Sequence, residues 1–456
     1  MHSAGGRLRA LADSKAVDTW ALLLASLLAV LVVRFALGSP QATVLALATL
    51  VVGLLVLLRG PVVIAVLAVP AMWLAVELPG RLQGPDVLLT VAALLAIPAL
   101  AGRTVRMRGT SAVRWAVSGY LAALVVTTIA HPSGQAWLEI LQRAVITLGA
   151  LAVGAWLAVE DRHRVALRAF VLIGVPVGIV AAWQSFTSEF APAAPFGLHK
   201  NYAGALLAAS FLIAWCAREP LGLRGYRLWL VLLPTVLGLI GCRSRGALLG
   251  LMLGLVVWFF HTHSRERRKL WWTAVVGAVG FGVFAISSVV DDISGLQSSR
   301  NSSVAIRTIV QQLTVERWEE NPVLGAGVRY WLMVGPDASY ASYIPPINAA
   351  TEALAEAGVV GGVAWLVMNV TVMVVLLRRR GPWATAAAAV FASRLLHLMT
   401  DQGWNAGTGT LPWLLAGVAL AVPDERERRV RRAPPGEAAP PAPPPPARRS
   451  PSTSGR

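Results

Sequence analysis

Several charged residues sit where charge is expensive. Glu139 and Arg143 stand four residues apart inside an apolar run. Arg394 is followed by His397 and Asp401 in another, and Arg243 and Arg245 bracket a serine in the turn GCRSRG. Arg34 interrupts a third apolar run, and Arg307 follows a polar stretch of Ser and Asn. An ionisable side chain inside a membrane costs about 2.5–3.5 kcal/mol, so it faces a cavity or a partner. Guanidinium groups bind phosphate in a bidentate way and keep their charge when partly buried. A set of arginines at one depth therefore suits an anionic ligand. A lipid pyrophosphate fits, because its charged group lies at the membrane boundary and its tail in the bilayer. Two plainer readings compete: each arginine snorkels to lipid headgroups, or Glu139 and Arg143 form a local i,i+4 pair.

The elements that must position these groups are apolar helices. The chain has 456 residues, 56% of them hydrophobic and 14% charged, against roughly 25% charged in a soluble protein. The charges cluster between long runs of Leu, Ala and Val. A helix needs about 20 apolar residues to cross the hydrocarbon core. The runs lack the alternation of barrel strands, so the expected class is all-α, a polytopic transmembrane bundle of about 12–14 helices. Spans are expected at 17–37, 42–58, 61–76, 86–101, 112–130, 136–159, 165–184, 201–217, 228–241, 246–262, 271–290, 352–377, 382–399 and 408–422. The run from Trp20 to Leu37 is longer than a signal-peptide core and reads as the first helix. Residues 1–290 thus hold eleven helices, 291–351 one large loop, 352–422 three helices, and 423–456 a basic Pro-rich tail whose composition predicts disorder.

Most of the 40 Lys and Arg residues fall in alternate connecting segments. With the positive-inside rule, both termini are expected in the cytoplasm and the large loop outside. The formal charge of +17 is then a topology signal, and nucleic-acid binding is not expected because no separate basic domain is present. In this topology Arg34, Arg143, Arg243, Arg245, Arg307 and Arg394 all lie toward the outer boundary. Cys216 and Cys242 fall at opposite ends of successive spans, too far apart for a disulfide. His261 and His263 have no further ligands nearby, so no metal is expected there. Glycines at 246, 250 and 254, and again at 358 and 362, read as close helix packing.

Four stretches in order resemble the O-antigen ligase and O-antigen polymerase superfamily of bacterial membrane glycosyltransferases. They are LHKNYAGALLAAS (198–210), CRSRGALLGLMLGL (242–255), RTIVQQLTVERWEENPVLGAGV (307–328) and INAATEALAEAGVVGG (347–362). The third carries an Arg, a Pro fifteen residues later, then Leu-Gly-x-Gly; the fourth carries Asn348 with Glu356 eight residues on. The resemblance implies transfer of a glycan from a polyprenyl-pyrophosphate carrier, such as undecaprenyl pyrophosphate, to a glycan, lipid or protein acceptor at the outer face of the cytoplasmic membrane. It implies that Arg243 or Arg245 and Arg307 contact the pyrophosphate, and that neither a nucleotide sugar, a metal nor another cofactor takes part.

One departure bears on mechanism. The family places a His directly before the loop Asn, as a base for the acceptor hydroxyl, and here that position is Ile347. The remaining candidates for the catalytic groups are Asn348 itself, His199, Glu352, Glu356 and Asp401. Two other functions stay open at this point: a transporter or flippase of lipid-linked or anionic substrates, and a non-catalytic scaffold of envelope polysaccharide assembly.

Overall fold

In the computed structural model, residues 56, 58–74, 84–101, 109–262, 303–332, 345–401, 404 and 407–423 are described. The expected spans 17–37 and 271–290, nearly all of 42–58, Arg34, most of the tail and parts of the large loop lie outside them. The regular elements among the described residues are helices. They are α1 (Val62–Ala68), α2 (Gly84–Ala101), α3 (Thr110–Ala130), α4 (Gly134–Val159), α5 (His163–Thr187), α6 (Lys200–Cys216), α7 (Tyr226–Cys242), α8 (Arg245–His261), α9 (Ser303–Glu320), α10 (Ala349–Arg378), α11 (Pro382–Leu398) and α12 (Thr410–Ala421). These cover the expected spans from 61–76 to 246–262 and from 352–377 to 408–422. α9 lies within the large loop.

Four of them, α3, α4, α5 and α10, are long and apolar enough to cross a bilayer. Their outward faces carry large apolar side chains at helical spacing: Val165, Leu172, Ile179 and Phe186 on α5, and Val359, Val363, Leu366, Val370 and Val374 on α10. Stripes of this extent are unfavourable in water and are solvated by lipid chains.

The two short expected spans have distinct explanations. α1 stops early because Pro70 turns the chain into one 3₁₀ turn, Pro70–Trp73. α12 reaches only about 18 Å, yet it is buried from Thr410 to Leu420. It is a core helix wrapped by protein rather than a lipid-facing one.

Small residues let these helices touch backbone to backbone, the usual means of tight packing in lipid. The expected stripe at Gly246, Gly250 and Gly254 lies along α11, against Thr400 and His397, the Ser393 carbonyl and the Ala389 carbonyl. α5 meets α7 in the same way: a Cβ at Gly178 would strike the Pro234 carbonyl, and one at Gly238 would strike the Gly178 backbone. Gly154 and Gly417 join α4 to α12. Gly178→Val should therefore overpack this seam at a cost of about 1–3 kcal/mol, read as a lower thermal midpoint of the detergent-purified protein. An unchanged midpoint would show that the seam can yield.

Candidate functional site

The first charged group centres on Arg143, whose side chain is fully buried. Ser133 caps the start of α4, its hydroxyl accepting from the Ala136 amide at 3.0 Å. The helix then widens into a π-turn at Val145–Gly149 directly after Arg143. Such bulges are common at functional positions. Here the Thr147 hydroxyl donates to the Arg143 carbonyl at 2.7 Å.

A guanidinium has five N–H donors, and all five of Arg143 are engaged within the protein. Nε donates to Glu139 Oε1 at 2.9 Å. Nη1 donates to the Tyr120 hydroxyl at 2.9 Å and to Glu356 Oε2 at 2.5 Å. Nη2 donates to Glu356 Oε1 at 2.9 Å and to Glu352 Oε1 at 3.1 Å. Trp404 faces the guanidinium at 4.8 Å and stacks on Tyr120 at 5.7 Å. Arg143, expected among the phosphate ligands, thus has no donor left for one; it pairs with carboxylates instead. The i,i+4 pair with Glu139 is real and is one arm of a larger cluster.

A second cation enters from residues 321–332, between α9 and α10, in the loop expected on the outer face and called the outer segment below. The Arg329 guanidinium pairs with Glu139 Oε2, and the Arg329 amide donates to Glu356 Oε1 at 3.1 Å. Three carboxylates therefore face two guanidinium groups. Nothing in the sequence singled out Arg329; its partner Glu139 is remote in the chain, and its only local signal is a basic residue two positions past the Gly-x-Gly.

The same region explains the Leu-Gly-x-Gly stretch. α10 breaks at Ala357 and Gly358, where Gly358 adopts φ +61°. A break in a membrane helix strands backbone donors and acceptors that cost several kcal/mol if unpaired. The outer segment pairs them: Val359 N donates to Pro322 O at 2.8 Å, Ala326 N to Ala355 O at 2.7 Å, and Gly327 N to Glu356 O at 3.1 Å. Thr127 on α3 holds Leu324 O at 3.1 Å. The approach is too close for side chains, since a Cβ at Gly358 would enter the Val323 carbonyl and one at Gly325 the Glu356 carbonyl. Gly358 thus serves this break, whereas the sequence spacing suggested helix packing.

The second charged group lies around the C-terminal end of α11. Arg394 Nη1 is 2.6 Å from His397 Nδ1. Arginine only donates, so Nδ1 accepts and the neutral ring carries its proton on Nε2, which faces Asp401 Oδ2 at 3.6 Å. Gly246 packs on Thr400 and His397, which brings the start of α8, and with it Arg245, to this end of the bundle. Arg307 at the start of α9 lies within electrostatic reach of His397, and Asp401 and Tyr202 within reach of Arg394. Arg245, Arg307 and Arg394, picked from three separate stretches, therefore gather at one end.

The other candidates are placed as follows. Arg243 takes a left-handed turn at φ +50° to end α7 and donates to the Phe190 carbonyl at 2.9 Å. His199 is exposed and caps α6, its Nδ1 3.4 Å from the Asn201 amide. Asn348 caps α10, its Oδ1 accepting from Ala350 N at 2.9 Å and Thr351 N at 3.3 Å, so that oxygen is committed to the helix start. Glu352 and Glu356 belong to the Arg143 cluster. Breaking a buried ion-pair network by removing one partner costs about 3–5 kcal/mol. Arg143→Met, which removes the cation that three buried carboxylates share, should sharply lower the yield of folded protein. Glu139→Gln keeps an acceptor for Arg143 and should be far milder. Equal folded yields for the two would contradict the network.

Residues 228–366 match the family model described as O-Antigen ligase. No curated protein is similar enough to this chain to count as a match. The matched stretch contains the Ser-Arg-Gly turn, the outer segment and the break in α10. The stretch lies on an all-helical fold with membrane-crossing helices, and over these residues the chain is similar to the O-antigen ligase family.

Proposed function

We propose that the protein ligates or polymerises a glycan carried on a polyprenyl pyrophosphate, transferring it to an acceptor at the outer face of the cytoplasmic membrane. The observation that carries this reading is the gathering of Arg245, Arg307 and Arg394 at one end of the helices, beside Asp401 and His397. Arg307 is exposed and Arg245 half-buried, so both can reach a ligand, while Arg394 supports them from within. Fixed guanidinium groups aimed at the pyrophosphate stabilise the charge that grows as it leaves, usually the largest catalytic contribution of such a site. Arg143 itself, with every donor engaged, fixes α3, α4, α10 and the outer segment around the donor site.

Arg245→Ala and Arg307→Ala should each lower the appearance of surface glycan by about 10²-fold or more, with lipid-linked glycan accumulating. Because Arg307 is exposed, its variant should reach the membrane at normal levels. Normal surface glycan in both variants would overturn the reading.

A further inference from the structure

We infer that Glu352 is the base that takes the proton of the acceptor hydroxyl, an inference that rests on the transferase reading above. Glu356 has both oxygens occupied, by two guanidinium N–H groups and the Arg329 amide. Glu139 is held between Arg143 and Arg329. Glu352 receives a single hydrogen bond, on Oε1. Among the described residues three carboxylates share two guanidinium groups, and Glu352 is the least satisfied of the three. It is also the most accessible, with a side chain 7% exposed against 3% for Glu139 and 0% for Glu356.

Position agrees with this. Asn348 starts α10, and Glu352 follows one helical turn later, its amide donating to the Asn348 carbonyl at 2.8 Å. The preceding Thr351 hydroxyl lies 3.2 Å from Gln311 Oε1 on α9. Gln311 is one turn from Arg307, so α9 brings an arginine of the donor site to the same helix end as Glu352. The groups around the carboxylate are Arg143 and Glu139 on α4, Glu356 on α10, Tyr120 on α3, and Arg329 and Tyr330 from the outer segment. Among the described residues of this cluster, Glu352 alone has a carboxylate oxygen without a hydrogen bond or ion pair.

In the step this implies, the acceptor O–H gives its proton to Glu352 Oε2 as the acceptor oxygen bonds to the anomeric carbon. The bond from that carbon to the phosphate oxygen breaks, and its electron pair leaves with the polyprenyl pyrophosphate. The proton then passes from Glu352 to solvent, restoring the carboxylate.

The test uses a host lacking the chromosomal gene and carrying each full-length variant. Right-side-out membrane vesicles containing the host's own accumulated lipid-linked glycan are followed by mass spectrometry for transferred product across a pH range. Glu352→Gln should lower the rate by about 10²–10⁴-fold and abolish the fall in rate on the acid side. Its thermal midpoint should be equal or higher, because the amide still accepts from Arg143 and one of the neighbouring carboxylate charges is gone. Glu352→Asp should retain a measurable rate with the acid fall preserved. A wild-type rate in Glu352→Gln, or an unchanged acid limb, would overturn the inference. Arg245→Ala and Arg307→Ala separate the two claims. If they are inactive while Glu352→Gln is active, only the base assignment fails; if they too are active, the transferase reading fails with it.

Discussion

A buried guanidinium ringed by three carboxylates organises this protein. Arg143 sits in a low-dielectric interior where an unpaired charge is costly and an ion pair is favourable only if nearly every donor and acceptor is met. It meets that condition by drawing in groups from α3, α4 and α10, while Arg329 ties in the outer segment. Loss of any of these elements leaves charge stranded, so the outer segment is held to the bundle by more than its own contacts.

The break in α10 follows the same logic for the backbone. A helix that parts inside an apolar layer must find other partners for its amides and carbonyls, and the segment from Pro322 to Gly327 supplies them. Two glycines, Gly325 and Gly358, allow the contact, both through positive φ and through the absence of a Cβ. The break sits two residues past Glu356, so the irregular backbone and the charged cluster form one unit. Structure of this kind holds the start of α10 rigidly against α3 and α4.

Much of this was legible in the sequence. Long apolar runs located the helices because membrane spans declare themselves by composition alone, and the Glu139–Arg143 spacing declared a pair because four residues make one turn. What local spacing could not reveal was that Glu352 and Glu356, more than 200 residues further on, share the same guanidinium. That unseen partnership is why Arg143 looked available to phosphate. Arg329 escaped notice for the same reason, and Asn348 looked chemical although its oxygen caps a helix. By contrast, Arg245, Arg307 and Arg394 were chosen for their depth, and their role toward phosphate is a proposal. Of the four family-like stretches, the first two fall on α6 and α8 and the last two on the broken helix and the segment that plugs it.

The central claim is that a lipid-pyrophosphate glycan is consumed by this protein on the outer face. Deletion of the gene in its native host, with lipid-linked oligosaccharides profiled by mass spectrometry and assigned to each leaflet, tests it most directly. The account predicts a polyprenyl-pyrophosphate glycan accumulating on the outer leaflet, together with loss of one surface polymer. Accumulation on the inner leaflet would identify a transporter instead, and an unchanged profile in a host also freed of homologues would contradict the account.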